Sequence, residues 1–452
     1  MAADLRTIAE LAPALERRDI SSEALTRQCL ARIEERNPAL NAFISLRTEQ
    51  ALEEAAAADR DIAAGRYRGP LHGVPISLKD LIDVQGVPTS AASRVRADHV
   101  AERDALVTQR LRAAGAIVVG KTNLHEFAYG TTNEDSAFGP ARHPLDPNRS
   151  PGGSSGGSAA SVADGMAYAS IGTDTGGSIR IPAAACGLVG LKAGVGEIPV
   201  DGVVPLSETL DHVGPLCRSV EDAALLFDVL RGARVERREP WALRGTRFGI
   251  PRAYFLSLLD SQVAAAFDSA RTRLADAGAS LDEVDIPHAA DIAPIYLHIV
   301  LAEAAAYHAK MLDSRADDYT PAVRIRLELG RYILAEDYVR ALHGRRVLIR
   351  EVDEALHGRA ALLLPALAIP APKLGTTSVR LGGVEEPIRS AMLRLTQPFN
   401  VTGHPAIALP CGRTTVEGLP LGAQLVGARG ETGTLLRVAA AAEPYVGPGT
   451  SR

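Results

Sequence analysis

The sequence predicts an α/β protein arranged around a central sheet. Three observations carry this. A helix, a glycine and a strand follow one another in that order at two separate places in the chain. No tandem repeat is present, and no linker is long enough to separate folding units. An apolar, strand-like run, 74-VPISLKDLIDV-84, precedes both repeats.

In chain order, residues 1–65 read as an N-terminal helical segment. Ser21 and Ser22 stand where they can cap a helix, with Glu23 in its first turn. The run 51-ALEEAAAADRDIAAG-65 has high helix propensity, stops at Gly65, and reads as a packing helix. In 102-ERDALVTQRLRAAGAIVVG-120, Val107, Leu111 and Ala114 share a helical face, Gly115 ends it, and Ala116 to Val119 read as a buried strand. The same grammar returns at 261-SQVAAAFDSARTRLADAGASLDEVDIP-287. There Val263, Phe267, Ala270, Leu274 and Ala277 form the stripe and Gly278 stops it. The loop 142-RHPLDPNRSPGGSSGG-157 is rich in Pro, Gly and Ser. As a linker it would be flexible, but α/β signals flank it on both sides, so it reads as a functional loop running over the sheet.

Bulk properties exclude several classes. Hydrophobic content of 46% and charged content of 23% are ordinary for a globular protein. A net charge of −5 gives no footprint for nucleic acid or an anionic membrane. Cys29, Cys186, Cys217 and Cys411 are far apart and form no CxxC pair, so they read as small buried hydrophobes in a reducing compartment. The N-terminus lacks the layout of a signal peptide. No apolar run approaches the roughly 18 residues that span a membrane. The expected location is the cytoplasm.

Three stretches could carry chemistry. Gly152 to Gly156 fits the G-x-S-x-G pattern of a nucleophile elbow, but an elbow needs a strand before it, and Asp146 to Pro151 cannot be a central strand. The second is Lys79. The chain has five lysines against 44 arginines, and one of the five sits inside the apolar run at 74–84. Burial would let it lose its proton more easily; a fall to near 7 corresponds to roughly 4–5 kcal/mol of differential solvation. The plain alternative is a lysine reaching out at a strand end. The third is 172-GTDTGGSIR-180. Two glycines before Ser178 free the backbone to aim successive N–H groups into one concavity, and a following helix would add positive potential. That suits a tetrahedral oxyanion. The alternative is a simple helix cap, because a serine is inert without a base and none of the eleven histidines pairs locally with Ser178. Taken together, Lys79 could be that base, with 153-GSSGGS-158 offering hydroxyls to bridge the gap.

At this point the chain resembles the amidase signature family of serine hydrolases. The resemblance rests on 70-PLHGVPISLKDLIDVQGVPTS-90, 120-GKTNLHEFAYGTTNEDSAFGPARHPLDPNRSPGGSSGGSAASVADG-165, 172-GTDTGGSIRIPAAACGLVGLK-192 and 205-PLSETLDHVGPLCRSVEDA-223. A weaker match is 400-NVTGHPAIALPCG-412. It implies one domain over residues 1–452, with a mixed, mostly parallel, twisted sheet covered by helices on both faces. Within it, residues 66–225 would hold the catalytic motifs and 290–400 a variable selectivity region. It implies a Ser–cis-Ser–Lys triad: Ser178 as nucleophile, Ser154 as bridge on a cis Gly153–Ser154 peptide, and Lys79 as base. The oxyanion hole would use the N–H groups of Thr175, Gly176, Gly177 and Ser178. Ser155 would be a structural hydroxyl, while Thr173, Asp174 and Arg180 would shape the loop.

The resemblance implies no cofactor and no metal, a small-molecule amide as substrate, no nucleic-acid or membrane partner, and leaves room for a homodimer. A small aryl or alkyl amide is the expected substrate, with carbamates and esters within reach of the same chemistry. Tyr129, in HEFAYG, is a candidate substrate contact, an aromatic suited to an apolar group. The alternative is the glutamine-hydrolysing A-type subunit of a tRNA-dependent amidotransferase. The Ser-Arg-Tyr-Asp-Gly segment usual there is absent from 302–330, and Arg346 only roughly matches the position that grips the glutamine carboxylate.

Overall fold

The structure, a computed structural model, describes residues 5–447. Local signals set the helix ends where the sequence puts them. Ser21 accepts a hydrogen bond from the Ala24 N–H and opens the helix Ser22–Leu40. Ser22 is already inside it, and its hydroxyl donates to the Gly73 carbonyl, tying this helix to the chain entering the sheet. The Ala-rich run lies in the helix Thr48–Ala63. Gly115 and Gly278 follow the helices Leu106–Ala113 and Ser261–Asp276 with φ of +87° and +92°. Glycine enters that left-handed region without a Cβ penalty, so each reverses the chain into the next strand. Val263, Phe267, Ala270 and Leu274 are buried, and Ala277, just past the helix, is half-buried.

Thirteen strands are present among the described residues. They are β1 (Phe43–Leu46), β2 (Pro75–Lys79), β3 (Ile117–Thr122), β4 (Ala169–Thr173), β5 (Val189–Lys192), β6 (Val213–Cys217) and β7 (Arg247–Pro251). Then come β8 (Ser280–Val284), β9 (Ala361–Pro365), β10 (Ser378–Leu381), β11 (Val384–Pro387), β12 (Ala406–Arg413) and β13 (Pro420–Val426). Eleven form one sheet in the order β1-β3-β2-β4-β6-β5-β12-β13-β9-β7-β8, while β10 and β11 make a separate hairpin. The mixed α/β sheet expected from the sequence is present. Its parallel pairings gather in two blocks, β2 with β3 and β4, and β7 with β8 and β9. The pairings of the sheet's middle, from β4 through β6, β5, β12 and β13 to β9, are antiparallel, as is that of β1 with β3 at one edge. Every residue of β2, β3, β4, β5, β6, β9 and β13 is buried, so both faces of the central sheet are covered by helices and loops.

Two expectations are qualified. The loop at 142–157 does not stay on the surface: from Ser150 onward every residue is buried, and the segment descends into the interior. One helix also exceeds the expected apolar length. The 30 residues Ala289–Asp318 reach a mean hydropathy of 1.4 over an 18-residue window, half of it buried. Its Glu303 accepts hydrogen bonds from Thr209 N–H and Oγ1 and from the Tyr338 hydroxyl, and it packs against the helices Pro321–Gly330 and Ala335–Leu356.

Candidate active site

The parallel pairing of β2 with β4, Leu78 opposite Ile171, brings their C-terminal ends side by side. Lys79 ends one strand and Thr173 the other. The Lys79 Nζ lies 2.8 Å from Thr173 Oγ1 and 2.8 Å from Ser154 Oγ. Ser154 reaches this point from the descending loop, through a cis Gly153–Ser154 peptide. Gly153 has no room for a side chain: a Cβ there would meet the Asn133 nitrogen at 2.8 Å. Ser155 fixes the loop to its neighbours. Its hydroxyl donates to the Thr173 carbonyl at 3.2 Å and its N–H to the Ser178 carbonyl at 3.3 Å. Lys79 and Ser154 are 0% exposed and Ser178 4%. The structure therefore brings Lys79 and Ser154 into direct contact and ties the Ser154 loop to the backbone of Ser178. No strand precedes Ser154, which excludes a nucleophile elbow at this G-x-S-x-G stretch.

A neighbouring lysine shows what is unusual about Lys79. Lys121, on adjacent β3, is equally buried, but its Nζ pairs with Asp80 Oδ1 at 3.0 Å. Lys79 has only hydroxyls as partners. Burial without a counter-ion lowers its pKa to about 7, opposed weakly by the more distant carboxylates of Asp211 and Asp174. An uncharged amine can donate to Thr173 and accept from Ser154 at once, which an ammonium cannot.

The turn after β4 supplies the other half of the site. Gly177 has φ +138°, and a Cβ there would meet Thr396 Oγ1 at 2.1 Å. The Thr396 hydroxyl donates to the Gly176 carbonyl at 2.7 Å, which fixes the orientation of that peptide. The Thr175 hydroxyl donates to Asp211 at 2.6 Å. None of the N–H groups of Thr175, Gly176, Gly177 and Ser178 donates to a protein acceptor among the described residues. More than about nine in ten buried backbone N–H groups are paired, so a buried run of four free donors is a place that could receive an anion.

Beneath the turn lies a buried polar network. Arg180 bonds both carboxylate oxygens of Asp174 at 3.0 Å, Gln424 Oε1 at 3.0 Å and Asn400 Oδ1 at 2.7 Å. Asn400 Nδ2 returns to Asp174 at 2.8 Å. Arg180 and Asn400 hold the Asp174 carboxyl below the usual range despite burial. The loop-shaping places expected of Asp174 and Arg180 are those they occupy, whereas Thr173 instead faces Lys79. Sequence reasoning missed Asn400, Thr396, Gln424 and Asp211. Asn400 opens the stretch NVTGHP and Asp211 lies in PLSETLDHVGP, so both stood inside family-like motifs without a role of their own. Gln424 and Thr396 carried no local signal.

Tyr129 is 1% exposed, so it is an internal group rather than one at an open mouth. Tyr296, in Coulomb range of Tyr129, places its hydroxyl 2.5 Å from the position of a Gly176 Cβ. Arg346 is exposed on its helix, while Arg345 turns to Thr209.

The chain is similar to known proteins over nearly its whole length. The chain is 40% identical over 423 residues to an amidase from Pseudomonas putida, covering 90% of this chain and 89% of that one. It is 39% identical over 465 residues to the A-type subunit of the glutamyl-tRNA(Gln) amidotransferase from Chloroflexus aurantiacus, covering 96% of this chain and 95% of that relative. A crystal structure of an amidase superposes with a TM-score of 0.93 at 40% identity, over 98% of this chain and 100% of that one. The amidase family model matches residues 24–436, and the chain belongs to the amidase, or amidase signature, family.

Proposed function

We propose that this chain hydrolyses small aryl or alkyl amides through an acyl-enzyme on Ser178. Neutral Lys79 takes a proton from Ser154 as Ser154 takes one from Ser178, and the Ser178 alkoxide attacks the carbonyl. The oxyanion is received by the N–H groups of Thr175, Gly176, Gly177 and Ser178. The relayed proton returns through Ser154 to the leaving nitrogen, which an amide requires because an amide anion is a poor leaving group. Water then enters, and the same relay frees the acid. Carbamates and esters fit the same steps. The observation that carries the proposal is the buried Lys79 amine, in contact with Ser154 and Thr173 hydroxyls and with no carboxylate partner.

The second reading, a glutamine-hydrolysing subunit, is favoured by the extent of likeness to the Chloroflexus protein. One experiment separates them. The purified chain is offered butyranilide, butyramide, a carbamate and glutamine, with Ser178→Ala beside it. Turnover of a simple amide by the isolated chain, lost in Ser178→Ala, supports the first reading. Silence alone but glutaminase activity with partner subunits establishes the second.

A further inference from the structure

A cavity of about 860 Å³ lies outside the candidate active site and shares no lining residue with it. The helices Ile8–Glu16, Val220–Leu230 and Thr432–Val446 wall it, and the segment 235–241 closes over them. Asp228 pins that segment by accepting from the Glu236 N–H and from the Arg238 guanidinium. The floor is apolar, with Ala12, Leu225 and Leu436 buried beneath it. Two half-buried rings, Tyr67 and Trp241, complete the lining. Their polar tips are already bonded: Trp241 Nε1 donates to Thr246 Oγ1 at 2.8 Å, and the Tyr67 hydroxyl to the Ala12 carbonyl at 3.3 Å. What the rings add to the cavity is therefore apolar surface.

The charge of the lining selects the occupant. Glu16, Glu221, Glu236 and Glu239 stand exposed around the cavity, and none has an ion pair among the described residues. Against them stand only Arg237 and Arg437, because Arg238 is neutralised by Asp228 at 2.7 Å. Two negative charges are left uncompensated. The wall behind carries the same sign: burial, with Asp222 and Glu221 nearby, lifts the Glu443 carboxyl to about 7. One ring already holds a cation. The Arg437 Cζ lies 5.2 Å from the Trp241 centroid, steadied by an Nε–H donated to the Glu239 carbonyl at 2.9 Å. An indole face beside unpaired carboxylates attracts positive charge, and a cavity of this volume is of small-molecule size.

We infer that this cavity binds an organic cation with an apolar body, an alkylammonium or arylalkylammonium of small-molecule size. The apolar body lies on Ala12, Leu225, Leu436 and the Trp241 ring, and the ammonium group sits at the acidic rim. A neutral compound of the same shape gains the floor without the rim, and an anion is repelled by it. None of these residues belongs to the proposed relay or oxyanion turn, so the inference stands apart from the amidase reading.

The cavity contains its own reporter, because Trp241 is the single tryptophan of the chain. Octylammonium, 1-octanol and octanoate share one alkyl chain and differ in charge. Each is titrated into the whole protein at neutral pH while tryptophan emission is followed. Octylammonium is expected to change the emission saturably, with a Kd at least about tenfold below that of octanol, and octanoate to give no saturable change. In Glu16→Gln/Glu221→Gln the Kd values of cation and alcohol should approach one another to within about threefold. Arg437→Gln clears the competing guanidinium from the ring and should tighten octylammonium binding. Ala440→Leu puts bulk into the cavity and should weaken it about tenfold or more, with urea titration showing that the variant is folded. Emission that does not respond to octylammonium, equal binding of cation and alcohol by the wild type, or a preference unmoved in Glu16→Gln/Glu221→Gln overturns the inference. The comparison of probes on the wild type needs no variant to fold.

Discussion

Replacing Lys79 by Met tests the state of the amine separately from its chemistry. Its pKa falls from 10.5 to about 7 through burial. At about 1.36 kcal/mol per unit, holding this side chain in the fold costs about 5 kcal/mol at pH values below 7. Between about 7 and 10.5 the unfolded chain binds the proton and the folded one does not, so stability rises with pH across that window. Integrated from pH 7 to pH 10, the wild-type gain from this residue is about 3–4 kcal/mol. Met has no such contribution. It also leaves the Ser154 and Thr173 hydroxyls without their partner, a cost of about 1–3 kcal/mol each that does not vary over this range. The carboxyl coupled to Lys79, Asp211, is raised by burial to about 6, below this window. The difference in unfolding free energy, wild type minus Lys79→Met, is therefore expected to climb by about 3–4 kcal/mol from pH 7 to pH 10 in urea titrations. Parallel stability profiles would mean that the lysine is charged when folded. It could then accept no proton, and the mechanism would fail. The same pKa requires amide hydrolysis to rise with pH through about 7.

Three further outcomes are expected. Ser154→Ala should lower kcat on an anilide by about 10²–10⁴ while leaving binding to the Ser178→Ala background unchanged in calorimetry, since its role is proton transfer. A Gly177→Ala methyl would lie 2.1 Å from Thr396 Oγ1, so the cradle must distort; kcat/KM should fall by about 100-fold or more, and a value within threefold of wild type would remove this turn from catalysis. Asp174→Ala leaves Arg180 buried without its ion partner and should lower the unfolding free energy by about 3–5 kcal/mol in urea titration.

The α/β grammar was legible because helix stripes and glycine stops are local. Val263 to Leu274 needs only its own spacing to show a buried face, and Gly278 only its own φ to end it. The order of the sheet was not legible, because β5 pairs with β12 across more than 200 residues and no local pattern encodes that partner. The site divides in the same way. Lys79 stood out because a lysine in an apolar strand contradicts its surroundings, and Gly176-Gly177-Ser178 because two adjacent glycines signal backbone geometry. Linking them took the family resemblance, since the contact of Ser154 with Lys79 spans 75 positions. Thr396 and Gln424 look like ordinary polar residues in the sequence. Only folding shows that the first fixes the Gly176 peptide and the second holds Arg180. The arginines that flank Tyr129 were invisible for a similar reason: they come from 197 and 260 positions downstream.

The cradle at Thr175–Ser178 is braced by Thr396, Asn400 and Gln424, all from the last seventh of the chain. A ribosome that has already released the three reactive side chains has not yet made these supports. On the proposed mechanism, the nascent protein therefore lacks a braced oxyanion turn until synthesis is nearly done, although Lys79, Ser154 and Ser178 are already made.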